Sequence, residues 1–335
     1  MTVIPRTIKF TLLASVLGFG ALSAQADELR IGSNFGDTHS TAQALRGVFA
    51  EKVEELTEGR HTVAVFANAE LGQTNEMINQ AQSGINFGAY ASTAFFNAQV
   101  PELGVTNLPF VFPNREVAFE VIDGPIGDVL RPKFEEDGLV VLGFMELGFR
   151  HITNAVHPIE TPADLEGLSI RLQTNPVHIA TFEEYGANPV ALDGTEIFPA
   201  LRQGVVDGQE NPYSVINNLR LYDANQPYVS ETGHFFDLIV FAGSKRVLDS
   251  MTPEDRAAVI EAGRLATEEQ RRLATADEAA NREAVLETGM EMNQLTGEQR
   301  AAFIEASTPI YDWIRESIDP DFVGQFLQEL ADAQD

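Results

Sequence analysis

The sequence predicts an α/β protein with two lobes, a cleft between them and long C-terminal helices. Three observations support this fold. Strand and helix patterns alternate from residue 28 to 144, the alternation restarts after Arg150, and the pattern from 252 to 330 is almost entirely helical. Such alternation is typical of doubly wound α/β units, and a chain of 335 residues is long for a single core. Two units are therefore expected.

The first residues have the composition of a secretory signal. Arg6 and Lys9 precede an apolar run at 10–22, and Ala24-Gln25-Ala26 fits a small-x-small cleavage site. The run is too short for an ordinary membrane span. We therefore predict that residues 1–26 are a signal segment, and its removal would change the formal charge from −28 to −30 because it holds two basic and no acidic residues.

The first unit begins with a strand at 28–32, a polar turn at 33–39 and a helix at 41–58. The helix is predicted because Leu45, Phe49 and Val53 recur at helical spacing. The run 139–144 is apolar throughout, as expected of a buried parallel strand. The other predicted elements of this unit are strands at 62–66 and 87–91, helices at about 76–82 and 119–137, and a proline-bounded apolar segment at 107–113.

The second unit begins with a strand at 168–172. Thr252-Pro253-Glu254-Asp255 is a helix start that precedes long helical segments at 254–288 and 297–317. The other predicted elements are helices at about 176–185, 197–203 and 213–218, and a strand at 230–240. We assign 27–148 plus about 237–277 to the first lobe, and 149–236 plus about 278–335 to the second.

Composition restricts the possible functions. The chain has no cysteine, which excludes disulfides and thiol chemistry. A formal charge of −28 argues against binding to nucleic acid or to anionic membrane surfaces. An anionic ligand would have to be attracted by local cations, so arginines at the ends of strands carry more information here than in a basic protein.

Motifs for catalysis are missing from the sequence. It contains no Gly-x-Ser-x-Gly, no phosphate-binding Walker loop and no His-Glu-x-x-His, and its six histidines show no spacing typical of metal ligands. Pairs of carboxylates are frequent, but they are expected by chance in so acidic a chain. We therefore predict a protein that is not an enzyme, with no catalytic residues, no metal and no cofactor.

Arg171 lies near the exit of the predicted strand at 168–172. Leu168, Ile170 and Leu172 alternate with polar residues, and Gly167 precedes the strand. Ligands of open α/β sheets bind at the carboxyl ends of strands, and a guanidinium offers a planar donor fork that matches a carboxylate. From this stretch alone, a surface arginine at a strand end is an equally good interpretation.

Two further polar groups lie at the ends of predicted elements. Arg150 follows the buried strand at 139–144, where the chain is expected to cross from the first lobe to the second. Asn211 lies in a turn directly before a helix. Its side chain could cap that helix, or it could offer a donor and an acceptor to a small polar ligand.

The segments Asp164–Arg171 and Val206–Pro212, together with Leu71-Gly72, Leu108–Phe112, Gly148–Arg150 and Thr232–His234, resemble one family. It is the DctP type of periplasmic solute-binding protein from tripartite ATP-independent periplasmic (TRAP) transporters. The resemblance covers nearly the whole mature chain. It implies a periplasmic-binding-protein-like fold with a ligand cleft between the lobes, a periplasmic location, a small organic anion as ligand, and the small and large permease subunits as partners.

The resemblance also implies roles for individual residues. Arg171 would form the main salt bridge to the ligand carboxylate, Arg150 would be a second polar contact, and Asn211 would face the same carboxylate. Further expected contacts are Asn34, His39, Thr74, Glu76, Ser92 and Gln173. Each has an ordinary structural alternative, such as an Asx turn, a helix cap or an acid in the first turn of a helix.

Two departures from the family pattern bear on the ligand. Related proteins commonly carry an aromatic residue where this chain has Leu192–Glu196, and Gly84–Phe87 is one residue shorter than usual. The extra room favours a polyhydroxylated acid, such as a uronate or an aldonate. The alternatives are a C4-dicarboxylate receptor, a receptor for an ATP-driven importer or a sensor kinase, and a secreted hydrolase of acidic sugars.

Overall fold

The computed structural model describes residues 26–334. The predicted signal segment 1–26 therefore lies outside the described residues, apart from Ala26. Within the described part of the chain, no helix has both the length and the apolar character that a membrane crossing requires.

In chain order, the strands of residues 26–334 are β1 (Asp27–Gly32), β2 (His61–Phe66), β3 (Gly88–Ser92), β4 (Leu139–Phe149), β5 (His151–Asn154), β6 (Ser169–Leu172), β7 (Asn188–Ala191), β8 (Gly208–Asn211), β9 (Tyr228–Glu231), β10 (Phe236–Ser244) and β11 (Glu291–Gln294).

The α-helices are α1 (Ser40–Ala44), α2 (Ala50–Leu56), α3 (Thr74–Ser83), α4 (Arg115–Asp123), α5 (Pro125–Glu136), α6 (Pro176–Glu184), α7 (Ile197–Gln203), α8 (Tyr213–Asn218), α9 (Lys245–Ser250), α10 (Pro253–Glu287), α11 (Gly297–Ala306), α12 (Thr308–Ser317) and α13 (Pro320–Asp332). A π-helical turn, Leu45–Phe49, joins α1 to α2, so the helix predicted at 41–58 is one continuous helical segment.

The strands form two sheets, and each sheet is the centre of one lobe. The first lobe is built on a five-stranded sheet in the order β2-β1-β3-β10-β4, and the second on a six-stranded sheet in the order β11-β9-β5-β8-β6-β7. Strand β10 is antiparallel to both β3 and β4. The predicted two-lobed α/β fold with long C-terminal helices is confirmed.

The apolar run at 139–144 is buried on both faces, as its composition predicts. Leu139, Val141 and Phe144 pack on one side of the first sheet, and Val140 and Leu142 pack on the other. The strand is antiparallel to its neighbour, however, and not parallel as expected. The cause is β10, which comes from far along the chain and lies between β3 and β4.

The chain crosses between the lobes at two neighbouring places. Arg150 separates β4 from β5, and residues 232–235 separate β9 from β10. The predicted strand at 230–240 is thus two strands in two different sheets. A bulge in β4 pairs Asp237 with Gly148 and Leu238 with Glu146, leaving Leu147 as the extra residue. Both crossings and the bulge lie beside the cleft.

Other predicted boundaries also differ from the structure. The helix expected at 119–137 is two helices, because α4 ends at Gly124 and Pro125 begins α5. The helical region expected at 252–330 is interrupted by β11, which pairs with β9. Short strands such as β7 and β11 lack the alternating pattern that would have identified them.

Helix α10 connects the two lobes. Val259 and Ala266 near its start belong to the core of the first lobe, and Val285 near its end belongs to the core of the second. Helix α13 packs on the first lobe, whereas the sequence prediction placed residues 278–335 in the second. Its Phe322 and Phe326 pack with residues of α4 and α5 in the first lobe, since its apolar side chains recur on one face.

Candidate ligand-binding site

A pocket of about 430 Å³ lies between the lobes. Both lobes contribute to its walls, and polar and apolar side chains alternate around it. Its lining residues are Asn34, Phe35, His39, Phe95, Arg171, Gln173, Gly194, Ile197, Asn211, Val215, Asn218 and Leu219. A cleft between two lobes is a common place for a small-molecule site.

The lobes touch each other around this pocket. Asn218 of α8 accepts a hydrogen bond from the backbone of Gly36 at 3.1 Å and donates one to Thr38 at 2.7 Å. The backbone N–H of Thr74 donates to Asp193 at 3.1 Å. These contacts join the first lobe to the second, so the structure represents a closed arrangement.

Arg171 is the only cation that lines the pocket among the described residues, and it is 1% exposed. Its Nε and Nη2 donate to the carbonyl of Leu192 at 3.0 and 2.6 Å. Within residues 26–334 it forms no ion pair, and burial lowers its pKa to about 10. A buried guanidinium without a carboxylate partner, with the rest of its fork free, is a site for an anion.

Arg150 is also fully buried, but its fork is occupied by the protein itself. It forms an ion pair with Glu210 of β8 and another with Asp237 of β10, the latter at 2.8 Å. Its Nη2 also donates to the Glu210 carbonyl at 2.7 Å and to Asn211 Oδ1 at 3.1 Å. Arg150 does not line the pocket, so its expected ligand contact stays a prediction that this geometry does not favour.

Arg150, Glu210, Asp237 and His234 form a buried group that we call the Arg150 cluster. The pKa values of its two carboxylates are shifted in opposite directions. Burial alone would raise the pKa of Glu210, but the charge and hydrogen bonds of Arg150 outweigh burial and hold that pKa below its ordinary value. For Asp237 burial prevails and raises the pKa, although Arg150 and Ser92 oppose it. His234 lies 3.4 Å from Glu210, and burial lowers its pKa. Arg150 therefore has its counterions within the protein.

Asn211 and Gln173 are brought together with Arg171, as the sequence predicts. Both side chains line the pocket and are almost completely buried. Asn211 Nδ2 donates to Gln209, which fixes the orientation of its amide. Gln173 has one weak contact, at 3.4 Å from Ser92 Oγ. Ser92 itself donates to Asp237 at 2.8 Å and does not line the pocket.

Asn34 and His39 line the pocket from the first lobe. Oδ1 of Asn34 and Nε2 of His39 are buried atoms without a hydrogen-bond partner among the described residues. Nδ1 of His39 accepts from the backbone of Thr41, which leaves the proton of the neutral ring on Nε2. Burial lowers the pKa of His39 to about 4. The ring is thus a neutral donor whose free N–H lies at the pocket.

Thr74 and Glu76 begin α3 at the edge of the cleft, and neither lines the pocket. Thr74 is buried, and its hydroxyl has no partner among the described residues. Glu76 is exposed, and its carboxylate lies over Gly72, where a Cβ would be 2.3 Å from Oε2. The expected ligand contacts of these two residues stay predictions.

Sequence reasoning missed Glu210 and Asp237. Each is a lone carboxylate in a strand that is otherwise completely buried. The polar sequence of β8 gives no sign that Glu210 is buried. Charged residues are almost never fully buried without a partner, so the apolar run of β10 could have identified Asp237. It would not have identified the partner, because Arg150 is 60 residues from Glu210 and 87 from Asp237.

A second pocket of about 640 Å³ lies next to the first and shares His39 and Asn218 with it. Glu146, Asp277 and Glu278 line it. Glu146 is buried, lies 3.4 Å from Arg115, and burial raises its pKa to about 7. Within the described residues, no group of three or more histidine, cysteine or acidic side chains is arranged to hold a metal ion.

Residues 31–317 match the family of bacterial extracellular solute-binding proteins, family 7 (DctP). The chain belongs to this family. The resemblance found in the sequence is thus confirmed, and the chain is a solute-binding receptor of the TRAP type. Members of the family are receptors and not enzymes, and they act outside the cytoplasm.

Several relatives of this DctP-family chain are named for an organic acid that they bind or were solved with one bound. It is 30% identical over 302 residues to the 2,3-diketo-L-gulonate-binding periplasmic protein YiaO of Escherichia coli K12, covering 90% of this chain and 91% of that protein. The sugar acid binding protein DctPAm of Advenella mimigardefordensis, solved with galactonate, has a TM-score of 0.89 at 32% identity, covering 92% and 99% of the two chains. A TRAP protein of Sulfurospirillum deleyianum with bound succinate has a TM-score of 0.85 at 29% identity, covering 90% and 98%.

Proposed function

We propose that this DctP-family receptor binds a sugar acid, such as an aldonate or a uronate, with one carboxylate on Arg171. The observation that carries the proposal is Arg171 itself, a buried cation that lines the pocket and has no ion pair among the described residues. A ligand carboxylate would replace the missing counterion. Burying an unpaired charge is costly, so the site is prepared for an anion.

The arrangement of charge supports a single carboxylate. Arg150 is saturated by Glu210 and Asp237, so it does not offer a second free fork. A dicarboxylate would therefore place its second charge in an acidic protein without a matching cation in the pocket. A hydroxylated chain would instead meet the uncharged groups of Asn34, His39 and Gln173.

The energetics require more than the salt bridge. A charge-assisted hydrogen bond contributes about 1.5–3 kcal/mol, whereas micromolar affinity requires about 8 kcal/mol. Two bonds to Arg171 therefore leave a deficit. Hydroxyl contacts and the contacts between the closed lobes would provide the remainder, and the ligand would shift the protein toward the closed state by its differential affinity for that state.

The family also suggests where the receptor acts and what it delivers its ligand to. We propose that the mature protein is periplasmic and passes its ligand to the small and large membrane subunits of a TRAP transporter. Uptake by proteoliposomes that contain both subunits should depend on the added receptor and on a sodium or proton gradient, without ATP. Uptake that requires ATP would contradict this partner.

Titration calorimetry and thermal unfolding with galactonate, glucuronate and succinate test the ligand class. A ligand present at 100 times its dissociation constant adds about 2.7 kcal/mol to the free energy of unfolding. We expect at least one sugar acid to bind more tightly than succinate. Tighter binding of succinate would favour the C4-dicarboxylate alternative, and cleavage of an added glycoside of glucuronate would indicate a hydrolase.

A further inference from the structure

The turn of residues 192–194 contacts both lobes, and we call it the clasp turn. It follows β7 in the second lobe. From within its own lobe, Arg171 holds it by two hydrogen bonds to the Leu192 carbonyl, at 3.0 and 2.6 Å. The side chain proposed to bind the ligand thus also fixes the backbone of this turn.

The next residue, Asp193, reaches across the cleft to α3. Its Oδ2 accepts a hydrogen bond from the backbone N–H of Thr74 at 3.1 Å. Thr74 is the first residue of α3, and Gln73 at the N-cap position makes no side-chain capping bond. The first N–H groups of a helix lack partners within the helix. A carboxylate of the second lobe therefore partly caps a helix of the first.

Gly194, the third residue of the clasp turn, lies against Asn34 of the first lobe. A Cβ at position 194 would be 2.5 Å from Asn34 Nδ2, so any other residue would displace the Asn34 side chain. The clasp turn therefore touches the first lobe at two places, Thr74 and Asn34. Both contacts would be lost if the lobes separated.

From these contacts we infer that Asp193 is a positioning residue that retains the ligand by capping α3 across the closed cleft. The inference rests on the proposed function, since it concerns retention of the ligand on Arg171. Asp193 does not line the pocket. Its contribution passes through the closed state, because its bond to Thr74 exists only while the lobes are together.

The size of the effect follows from helix capping. Loss of a side-chain cap costs about 0.5–2 kcal/mol, and a carboxylate near the N-terminus also interacts favourably with the helix dipole. A cost of 1.4 kcal/mol corresponds to a tenfold change in affinity. Removing the carboxylate should therefore weaken ligand binding about tenfold, and the loss should come mainly from faster dissociation, because the closed complex is the state that is destabilised.

The experiment compares three variants with the wild type, using galactonate or whichever acid the wild type binds most tightly. Asp193→Ala removes the cap and should raise the dissociation rate about tenfold. Asp193→Asn retains an acceptor without the charge and should recover most of the affinity. Thr195→Ala is a control for the side-chain bond within the turn, because it removes a hydrogen bond of 3.0 Å to Asp193 Oδ1 but leaves the contact with Thr74. Asp193→Asn is the control for the local cap, because its amide oxygen can still accept from the Thr195 N–H, which lies 3.1 Å from Asp193 Oδ1.

The hydrogen-exchange rate of the Thr74 amide should not change if a substitution affects only the turn of residues 192–194. Addition of ligand should protect the Thr74 amide in the wild type and in Thr195→Ala, but not in Asp193→Ala. The thermal unfolding of the ligand-free protein should be nearly the same in all variants. This combination would distinguish capping across the cleft from a general loss of stability.

One outcome would overturn this inference but not the proposed function. The wild type would bind an acid, and Asp193→Ala would bind it with the same affinity and show the same protection of the Thr74 amide. Equal losses in Asp193→Ala and Thr195→Ala would also overturn it, since the internal structure of the turn would then be responsible. A wild-type protein that binds none of the acids would contradict the proposed function and, with it, the retention of a ligand by Asp193.

Discussion

The two buried arginines at the cleft have opposite electrostatic surroundings. Arg150 lies where the chain crosses between the lobes and is neutralised by Glu210 and Asp237. Arg171 lies at the end of β6, and its only partner among the described residues is the carbonyl of Leu192. Both are at most 1% exposed, so burial alone does not distinguish their roles.

The difference shows how one residue type can serve two purposes. The charges around Arg150 join β8 of the second lobe to β10 of the first, so this cluster stabilises the crossing between the lobes. Arg171 instead is buried without an ion pair among the described residues, although Glu210 and Asp193 attract it from a distance, and this arrangement favours an anion. A buried arginine is informative about ligands only when its counterions are known.

The largest expected effect is on stability, from Arg150→Met. The substitution leaves Glu210 and Asp237 buried without their cation, and breaking a buried pair in this way costs about 3–5 kcal/mol. Urea unfolding should show the loss. The matched control combines Arg150→Met with Glu210→Gln and Asp237→Asn, and it should recover much of the stability. No recovery would mean that the side-chain volume, and not its charge, supports the crossing.

Arg171→Ala should have its effect on binding instead. Loss of the fork should weaken binding of a sugar acid at least a hundredfold, about 3 kcal/mol, because two charge-assisted bonds are lost. The ligand-free protein should unfold at nearly the same temperature, because removal of a buried charge offsets the loss of the two hydrogen bonds to the Leu192 carbonyl. Calorimetry and thermal unfolding measure the two effects.

Arg171→Lys is the control for charge without the fork. It should recover less than tenfold of the lost affinity, because an ammonium does not reproduce a planar pair of donors. Full recovery would show that charge alone is sufficient. An affinity of Arg171→Ala equal to that of the wild type would remove the basis of the proposed site.

A third buried charge, Glu146, is only partly compensated, and it makes stability depend on pH. Burial raises its pKa from 4.5 to about 7, so between these values the folded state binds more protons than the unfolded state. Buried histidines with a lowered pKa, such as His39, make the free energy of unfolding rise with pH in this range, whereas the contribution of Glu146 should fall as pH rises from about 4.5 to 7. Glu146→Gln should remove this fall and stabilise the protein at pH 8 by about 2–3 kcal/mol.

Urea unfolding of the wild type and of Glu146→Gln at pH 5 and pH 8 measures this effect. The difference between the two proteins should appear at pH 8 and be small at pH 5. Equal pH dependence of both proteins would show that Arg115, at 3.4 Å, compensates Glu146 fully in the folded state.

The smallest effect is expected for Glu76→Gln. The side chain is exposed and does not line the pocket, and such substitutions usually change free energies by no more than about 0.5 kcal/mol. Affinities for galactonate, glucuronate and succinate should each change by about twofold or less. A changed ranking among the acids would instead support the ligand contact that the sequence suggests for Glu76.

Much of the fold could be predicted because short runs and alternations of apolar residues determine its strands. The continuous apolar run at 139–144 forms a strand that is buried on both faces. The alternation of Leu168, Ile170 and Leu172 places Arg171 near the end of β6, as observed. Gly124-Pro125, by contrast, separates two helices that the apolar pattern predicts as one.

Strand partners could not be predicted in the same way. The segment 230–240 has one continuous strand-like pattern, yet the chain leaves one sheet at Glu231 and enters the other at Phe236. Helix α13 returns to the first lobe, although it is last in sequence. Pairing and packing depend on which distant surfaces are available, and local periodicity does not contain that information.

The sequence by itself identified the family and the two-lobed α/β fold. It also suggested Arg171, Asn211, Gln173, Asn34 and His39 as ligand contacts, which stay predictions although all five line one pocket. Only the tertiary structure showed that Arg150 is neutralised while Arg171 is not, and that Asp193 caps α3 across the cleft. The reason is physical. The chemistry of a side chain is local, but the compensation of its charge depends on groups that only folding brings within a few ångströms.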